Sequence, residues 1–528
     1  MIPAFTLLAS LFISGAAPPP DDPPPSQELA PGVHALGASD RYGSANAGWV
    51  AFADQVLLIG APHPDLAERC WSEAVRTSGK PVRAAVLTHL RRGEIEAARF
   101  LARKGVALVA QEEAAALLRS ALGRDGAGTG GIPATRIESF TDRWEFRDAA
   151  QHLRVISLGH AAGPGDAAAL IEGGQVLFTG EVCSHGPRAA LPGGDTLRWI
   201  RALEETRKLG ARTVVPGFGS TGGPEILVRQ ERYLRELRRQ VAYLISQGKT
   251  LEDVEAQVRI EPEWLVWMPY DQPQKEDLDH LHRELTVPAA PFGVPAGSLS
   301  GPRPRALALI ADRPHEPEHL ESGLKPVFEG AGVHAWFAFD VRALNRENLK
   351  AVDLLVMLRD GALWPGGPDK PPVVWMTPEQ EQAVAEFVEA GGGFLALHNS
   401  TGLYPEGGPY RRLIGGAYKG HGPLERFRVR VTDPRHPITR GVSEYQVADE
   451  QHTPAPDRET VHLFLESRSD EGVLGAAGWT REAGRGRVAY LANGHTREAL
   501  LHPMVQLLMR NAVRWCLRLE DQPSDGKR

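Results

Sequence analysis

Cysteine is scarce, with only Cys70, Cys183 and Cys516 in 528 residues. None belongs to a C-x-x-C pair, which excludes a structural zinc of the ribbon type. A Cys70–Cys183 disulfide stays open, beside the plainer expectation of three small buried apolar side chains. Positive charge is also in deficit: 59 Lys and Arg against 66 Asp and Glu leave a net charge of -7. That argues against nucleic acid or an anionic membrane as partner, since both want a basic face. The cluster Arg235, Arg238 and Arg239 is expected to be the solvated face of a helix. No Lys or Arg precedes Arg41, so the apolar run Ala4–Ala17 lacks a basic leader. The run ends in small residues and is shorter than the about 20 residues a bilayer span needs. No cysteine follows it to carry a lipid. Nothing later is long and apolar enough for a transmembrane helix. The expectation is a signal peptide at 1–17 and a secreted or periplasmic protein, with a miscalled start codon or a plain apolar tail as the rival.

Hydrophobic residues make up 42% of the chain, enough for sizeable cores and against wholesale disorder. Residues 18–27 are a proline-rich spacer that cannot pack. A second Pro/Gly/Ser-rich stretch, TVPAAPFGVPAGSLSGPRP, divides the remainder. The expected domains are 28–285 and 304–520, with 286–303 as linker and 521–528 as a frayed tail. No internal repeat is visible. The expected class is α/β in both domains.

In the first half, short strands such as WVAFA and QVLLIG are followed by strand–helix alternation, then by a second β-rich block. Two β blocks with helices outside suggest a sandwich of sheets flanked by helices. Four motifs stand in order: SDRYGSANAGWVAFADQVLLIGAPHP, AVLTHLRRGE, LGHAAGPGDAAALIEGGQVLFTGE and VVPGFGSTGGPEIL. Through them residues 32–245 resemble the metallo-β-lactamase fold superfamily, which implies an αββα sandwich.

That resemblance implies a metal held by a His-x-His-x-Asp-His run and by a later His, Asp and His. Hydrolysis there uses three or four N/O ligands and an open position for water. Here His89 matches the first His, but Arg91, Gly93 and Glu94 stand at the next three ligand positions. Ala162 stands at the following His, Glu181 at the bridging Asp and Phe218 at the last His. His160, two residues early, could serve only through a shifted loop. Arg91 puts a fixed positive charge where a dication would sit and is expected to pair with Glu181 or Glu94. No catalytic metal is expected in this half, which then acts as a scaffold or pseudoenzyme; an atypical metal-dependent hydrolase using His89, His160 and Glu181 is the alternative.

The second half alternates strand and helix throughout, the pattern of a doubly wound parallel sheet with ligands at the carboxyl ends of its strands. Asp312, His315, Asp360 and His398 stand at such ends. The motifs AEFVEAGGGFLALHNS, YRRLIGGAYKGHGPLERFRVRVTDPRHPITRGV, ADEQH, GWTREAGRGRVAYLANGH and MRNAVRWC make residues 304–518 similar to the ThuA-like (trehalose utilisation) family. The resemblance implies the flavodoxin-like frame of class I glutamine amidotransferases and a sugar or oxidised-sugar substrate. Where amidotransferases carry a nucleophilic cysteine this chain has His398, Asn399 and Ser400, so the thiol mechanism is absent.

Catalytic candidates are His398, Asp449, Glu450 and His495, because carboxylates beside imidazoles suit general acid–base work. Substrate-binding candidates are His315, His421, His452 and Trp479. An indole can serve as a plate for a sugar ring, and Trp364 could do the same, though core packing explains either. His315 and His319, spaced i, i+4, suggest a surface pair more than a metal pair. His436 reads as a turn residue. No cofactor is expected. The alternatives carried forward are an enzyme acting on carbohydrate by hydrolase, lyase or isomerase chemistry, and a non-catalytic carbohydrate- or partner-binding protein.

Overall fold

The computed structural model describes residues 26–37, 45–123, 137–173, 175–185, 190–260, 275–286, 303–365 and 370–520. The expected signal peptide, most of the proline-rich spacer, the interior of the expected linker and the tail lie outside the described residues. The chain divides into two compact units within the helix Glu225–Ser246, between Glu231 and Arg232. The described residues from Arg232 onward, with the helices Leu251–Gln257 and Lys275–Thr286, go with the second unit. The division therefore falls earlier in the chain than the Pro/Gly-rich stretch.

The first unit is built on two sheets. The larger has seven strands in chain order, from Gln27–Ala30 to Ile137–Phe140. Its first four strands pair antiparallel, and parallel pairing begins between Val56–Ile59 and Val82–Val86. The smaller has five strands, including His152–Gly159, Asp166–Ile171 and Val176–Phe178. The two-residue period of a strand explains the layers. In Val56–Ile59, Leu57 and Ile59 join the core shared with Leu153, Val155, Ala167 and Phe178 of the second sheet. Val56 and Leu58 face the other way, toward Cys70, Ala97, Leu101 and Leu118 of the outer helices. The helix Thr196–Arg207 packs on the strand His152–Gly159. These are the αββα layers the sequence implies.

The second unit holds one nine-stranded sheet. Five parallel strands lie in the order His334–Ala338, Arg305–Ile310, Leu354–Leu358, Gly393–Leu397 and Gly486–Leu491. In chain order this is 2-1-3-4-5, the flavodoxin-like doubly wound arrangement. Each of these strands except the edge strand is a run of mostly buried apolar residues, as a sheet covered on both faces requires. Four antiparallel strands extend it: Leu474–Ala483, His462–Arg468, His421–Val431 and Tyr445–His452. The expected doubly wound, mostly parallel sheet is thus present with an antiparallel extension, and the extension matters because it carries His421, Glu450 and His452.

All three cysteines are free and buried. Among the described residues no helix is long and apolar enough to cross a membrane.

Candidate functional site

The carboxyl ends of the parallel strands in the second unit converge on one cluster. Strand Arg305–Ile310 leads into Ala311 (φ 73°) and Asp312. Strand Gly393–Leu397 leads into the short turn His398–Thr401, whose first residue has φ 49°. A non-glycine residue held there is under backbone strain of about 1–3 kcal/mol, which turns His398 sharply off the strand. The last parallel strand, Gly486–Leu491, leads to Asn493, Gly494 and His495. Gly494 sits at φ 152°, and a Cβ on it would come within 3.2 Å of His398 Cβ. Only glycine lets this turn pass so close to His398.

Two of the imidazoles, His398 and His315, are each oriented by a specific partner. His398 Nδ1 donates to the Ala492 carbonyl at 2.9 Å, so its Nε2 carries a lone pair. That Nε2 is buried without a hydrogen-bond partner. Burial and the neighbouring imidazoles of His452 and His315 hold His398 well below the ordinary imidazole range. His315 Nδ1 lies 2.5 Å from Asp312 Oδ1. Burial alone would lower the pKa of His315, but the Asp312 carboxylate outweighs it and raises the pKa. The other oxygen of Asp312 accepts from Asp360 N at 3.0 Å and Asn399 Nδ2 at 2.6 Å. His315 Nε2 then faces His495 Nδ1 at 3.0 Å.

Glu450 Oε2 stands among four imidazoles. It lies 3.2 Å from His495 Nδ1 and 3.7 Å from each of His398 Nε2, His421 Nδ1 and His452 Nε2. Burial alone would raise the pKa of Glu450; the surrounding imidazoles win and lower it. His495 is pushed down to about 4 by burial and by His315. Asp360, beside the same cluster, is pushed up to about 7 by burial and by the charge of Asp312. Such a spread of titrating groups within one cleft suits proton transfer.

In the first unit the corresponding strand-end cluster is filled by the protein's own ion pairs. Arg91 Nε lies 2.6 Å from Glu181 Oε2, and its other nitrogens reach the carbonyls of Ala162 at 3.2 Å and Pro192 at 3.3 Å. Glu94 receives the Arg91 backbone N–H at 2.8 Å and lies 2.8 Å from His89 Nε2. A Cβ on Gly93 would stand 2.2 Å from the Pro62 carbonyl oxygen, so no acidic side chain fits at that position. Phe218 is held in the short strand Phe218–Gly219, paired with Ser184–His185. His160 is engaged by Gly193 O at 2.8 Å and Glu113 at 3.4 Å. Among the described residues, the groups of three or more potential metal donors, His315–His398–His495 and His398–Glu450–His452, both lie in the second unit.

The family model for trehalose utilisation, ThuA, matches residues 311–516. The second unit is ThuA-like. Among solved structures, a ThuA-like protein from Bacteroides uniformis is similar at 21% identity over 42% of this chain and 95% of that chain, with a TM-score of 0.34. A metallo-β-lactamase from Pontibacter korlensis is similar at 18% identity over 40% of this chain and 98% of that chain, with a TM-score of 0.34. The metallo-β-lactamase TMB-1 is similar at 18% identity over 40% and 97% of the two chains, with a TM-score of 0.33. No curated protein matches the chain.

The ThuA-like unit brings together His315, His398, His421, Glu450, His452 and His495. Asp449 is different. Its carboxylate points away from the imidazoles and accepts N–H groups of Gly494 at 2.9 Å, His495 at 3.0 Å, Thr496 at 3.3 Å and Asn493 Nδ2 at 3.2 Å. It positions the turn that carries His495 and is not free to exchange protons with a ligand. Trp479 is wholly buried, donates to the Ile414 carbonyl at 2.9 Å and stacks on Tyr490 at 4.0 Å. It is a core residue of the ThuA-like unit, which corrects its expected role as a sugar plate. His315 and His319 are not a surface pair, since His315 is buried and precedes the helix Pro317–Ala331. Asn399 and Tyr418 are additional members; Tyr418 lies 5.4 Å from the His452 ring. Asn399 could have been inferred from its place beside His398 at the strand end. Tyr418 had no signal, because its loop meets the site only in three dimensions.

Proposed function

We propose that the ThuA-like unit processes a carbohydrate, trehalose-like or an oxidised sugar, by acid–base chemistry, in an exported protein whose first unit is a scaffold without a catalytic metal. The observation that carries this reading is the Glu450 carboxylate ringed by four imidazole nitrogens at 3.2–3.7 Å. Sugar chemistry moves protons between hydroxyl, carbonyl and ring-oxygen atoms, and needs a base and an acid held on one small cleft. His398, neutral with its lone pair aimed at the cluster, serves as base. Asp360, whose carboxyl is pushed up to about 7, serves as acid, and His421, the most exposed of the cluster imidazoles, meets the incoming substrate. Sugar as substrate comes from the trehalose-utilisation family match; export comes from the apolar run Ala4–Ala17. The scaffold role of the first unit is supported by the Arg91–Glu181 pair and by Gly93, which leaves no room for a ligand side chain.

The test is turnover by the full chain on trehalose and on its ketone and lactone derivatives, with His398→Ala alongside. Loss of a general base lowers turnover by about 10²–10⁴-fold. A chain that binds sugar without converting it, and whose His398→Ala variant changes only affinity, is the non-catalytic binder instead.

A further inference from the structure

The ThuA-like cluster is built as a metal site. We infer that His315 Nε2, His398 Nε2 and His495 Nδ1 bind one divalent transition ion of the zinc class, with a fourth position open beside Glu450. The inference rests on that reading of the cluster as the reactive site, adds an ion that neither the family match nor the sequence assigns, and moves the role of base from His398, whose lone pair the ion takes, to Glu450.

Three observations carry it. The three ligand atoms lie within 4.8 Å of one another, and two of them, on His315 and His495, are 3.0 Å apart. Donors placed roughly 2.0–2.1 Å from a tetrahedral ion stand about 3.3 Å from each other, so little movement is needed. The second observation is the outer hydrogen bonds. A metal-bound histidine usually donates its remaining N–H to a carboxylate or a carbonyl, which fixes the tautomer and aims the lone pair. His315 gives Nδ1 to Asp312 at 2.5 Å, and His398 gives Nδ1 to Ala492 O at 2.9 Å. Both outer partners are buried and fixed. Asp312 is itself held by Asp360 N and Asn399 Nδ2. The third observation is the orphan: His398 is fully buried, and its Nε2 has no partner. A lone pair sealed in that position costs stability unless something accepts it.

The donor set selects the ion. Three neutral imidazoles suit zinc, cobalt, iron or nickel and do not suit magnesium or calcium, which want oxygen. Three protein ligands with an open fourth position are the arrangement of a catalytic rather than a structural site. Glu450 Oε2, 3.2 Å from His495 Nδ1 and 3.7 Å from His398 Nε2, borders that position. It can take a proton from a water or sugar hydroxyl placed there. His452, 3.7 Å from Glu450, belongs to the alternative donor group with His398.

The experiment is metal analysis of the full chain after dialysis against chelator and reloading separately with zinc, cobalt, manganese or iron(II). Wild type is expected to retain about one ion per chain with zinc or cobalt. His495→Gln, at a half-buried position, is expected to bind at least about tenfold more weakly. His398→Gly, which keeps the backbone at its positive φ, is expected to lose the ion. His160→Gln in the first unit keeps it. Thermal melts of each variant separate a lost ligand from a lost fold, and the visible spectrum of the cobalt form reports imidazole coordination without relying on turnover. A wild-type chain that retains none of the four ions overturns the inference. So does a folded His495→Gln that binds the ion as tightly as wild type, or an ion lost only in His452→Gln, which would assign the other donor group. These readouts need no substrate. Sugar turnover that resists chelation would sink the ion and leave the carbohydrate reading standing. A stoichiometric ion with no sugar turnover would do the reverse.

Discussion

Arg91 and Glu181 meet at 2.6 Å in the first unit, guanidinium nitrogen to carboxylate oxygen, with His89 and Glu94 paired at 2.8 Å beside them. The chain's own cation stands at the centre of this strand-end cluster. Glu181, Glu94 and Asp166 bring negative charge to this spot, and Arg91 with His89 offsets it.

Arg91→Ala should therefore destabilise the first unit. It leaves Glu181 without its partner and removes the bonds to the Ala162 and Pro192 carbonyls. Arg91 is about one-third exposed, so water softens the loss, and about 1–2 kcal/mol is expected. Arg91→Lys keeps the charge but not the planar fork, and should recover only part of it. Denaturant unfolding of the variants checks this; an unchanged midpoint for Arg91→Ala would mean that the pair is ornamental.

His89 makes the stability of the same unit depend on pH. Burial works against its charged form, but Glu94, Glu181 and Asp166 outweigh burial and raise the pKa from 6.5 to about 9. The folded state then holds a proton that the unfolded chain releases sooner. Its contribution is fully present below pH 6.5, declines from there and is lost as pH rises through about 9. Asp166, pushed up to about 6 by burial, titrates below that window. Unfolding measured between pH 6 and 10 should show a falling limb that His89→Gln flattens. A His89 ring resonance that titrates near its ordinary value would contradict this.

Trp479 gives a third expectation, in the ThuA-like unit. Trp479→Phe keeps a ring against Tyr490 but loses the bond to the Ile414 carbonyl. The buried carbonyl left without that donor costs about 1–3 kcal/mol. Sugar affinity should not change, because the indole has no exposed face. A tenfold or greater fall in sugar binding with the fold intact would return Trp479 to the site.

Much of the frame was legible in the chain. The short apolar runs of strands such as VLLI, and helices punctuated by Gly391 and Gly332, carry local physics that survives folding. The parallel strands of the second unit announce themselves as apolar runs ended by polar residues, and His398, Asp312 and Asp360 were placed by that rule. The Arg91–Glu181 pair was accessible because a lone cation and the acids it could meet are both visible in sequence. Asp449 and Trp479 were not. An acid next to Glu450 and an indole near a loop look alike in sequence whether they face a ligand or the core. On the strand Tyr445–His452, adjacent side chains point to opposite faces, so Asp449 and Glu450 part company.

The sequence by itself determined the two α/β frames, the absence of a thiol nucleophile at residue 398 and the absence of a His-x-His-x-Asp-His run at His89. These follow from residue type and from periods of two and 3.6 residues, which are properties of a short stretch of chain. Only the tertiary structure decided that His315, His398, His421, His452 and His495 share one cleft around Glu450. They come from segments far apart in the chain, and what gathers them is the strand order 2-1-3-4-5 with its antiparallel extension. It also decided which imidazole nitrogens are free, because that depends on the carbonyl of Ala492 and the carboxylate of Asp312, partners that folding alone supplies.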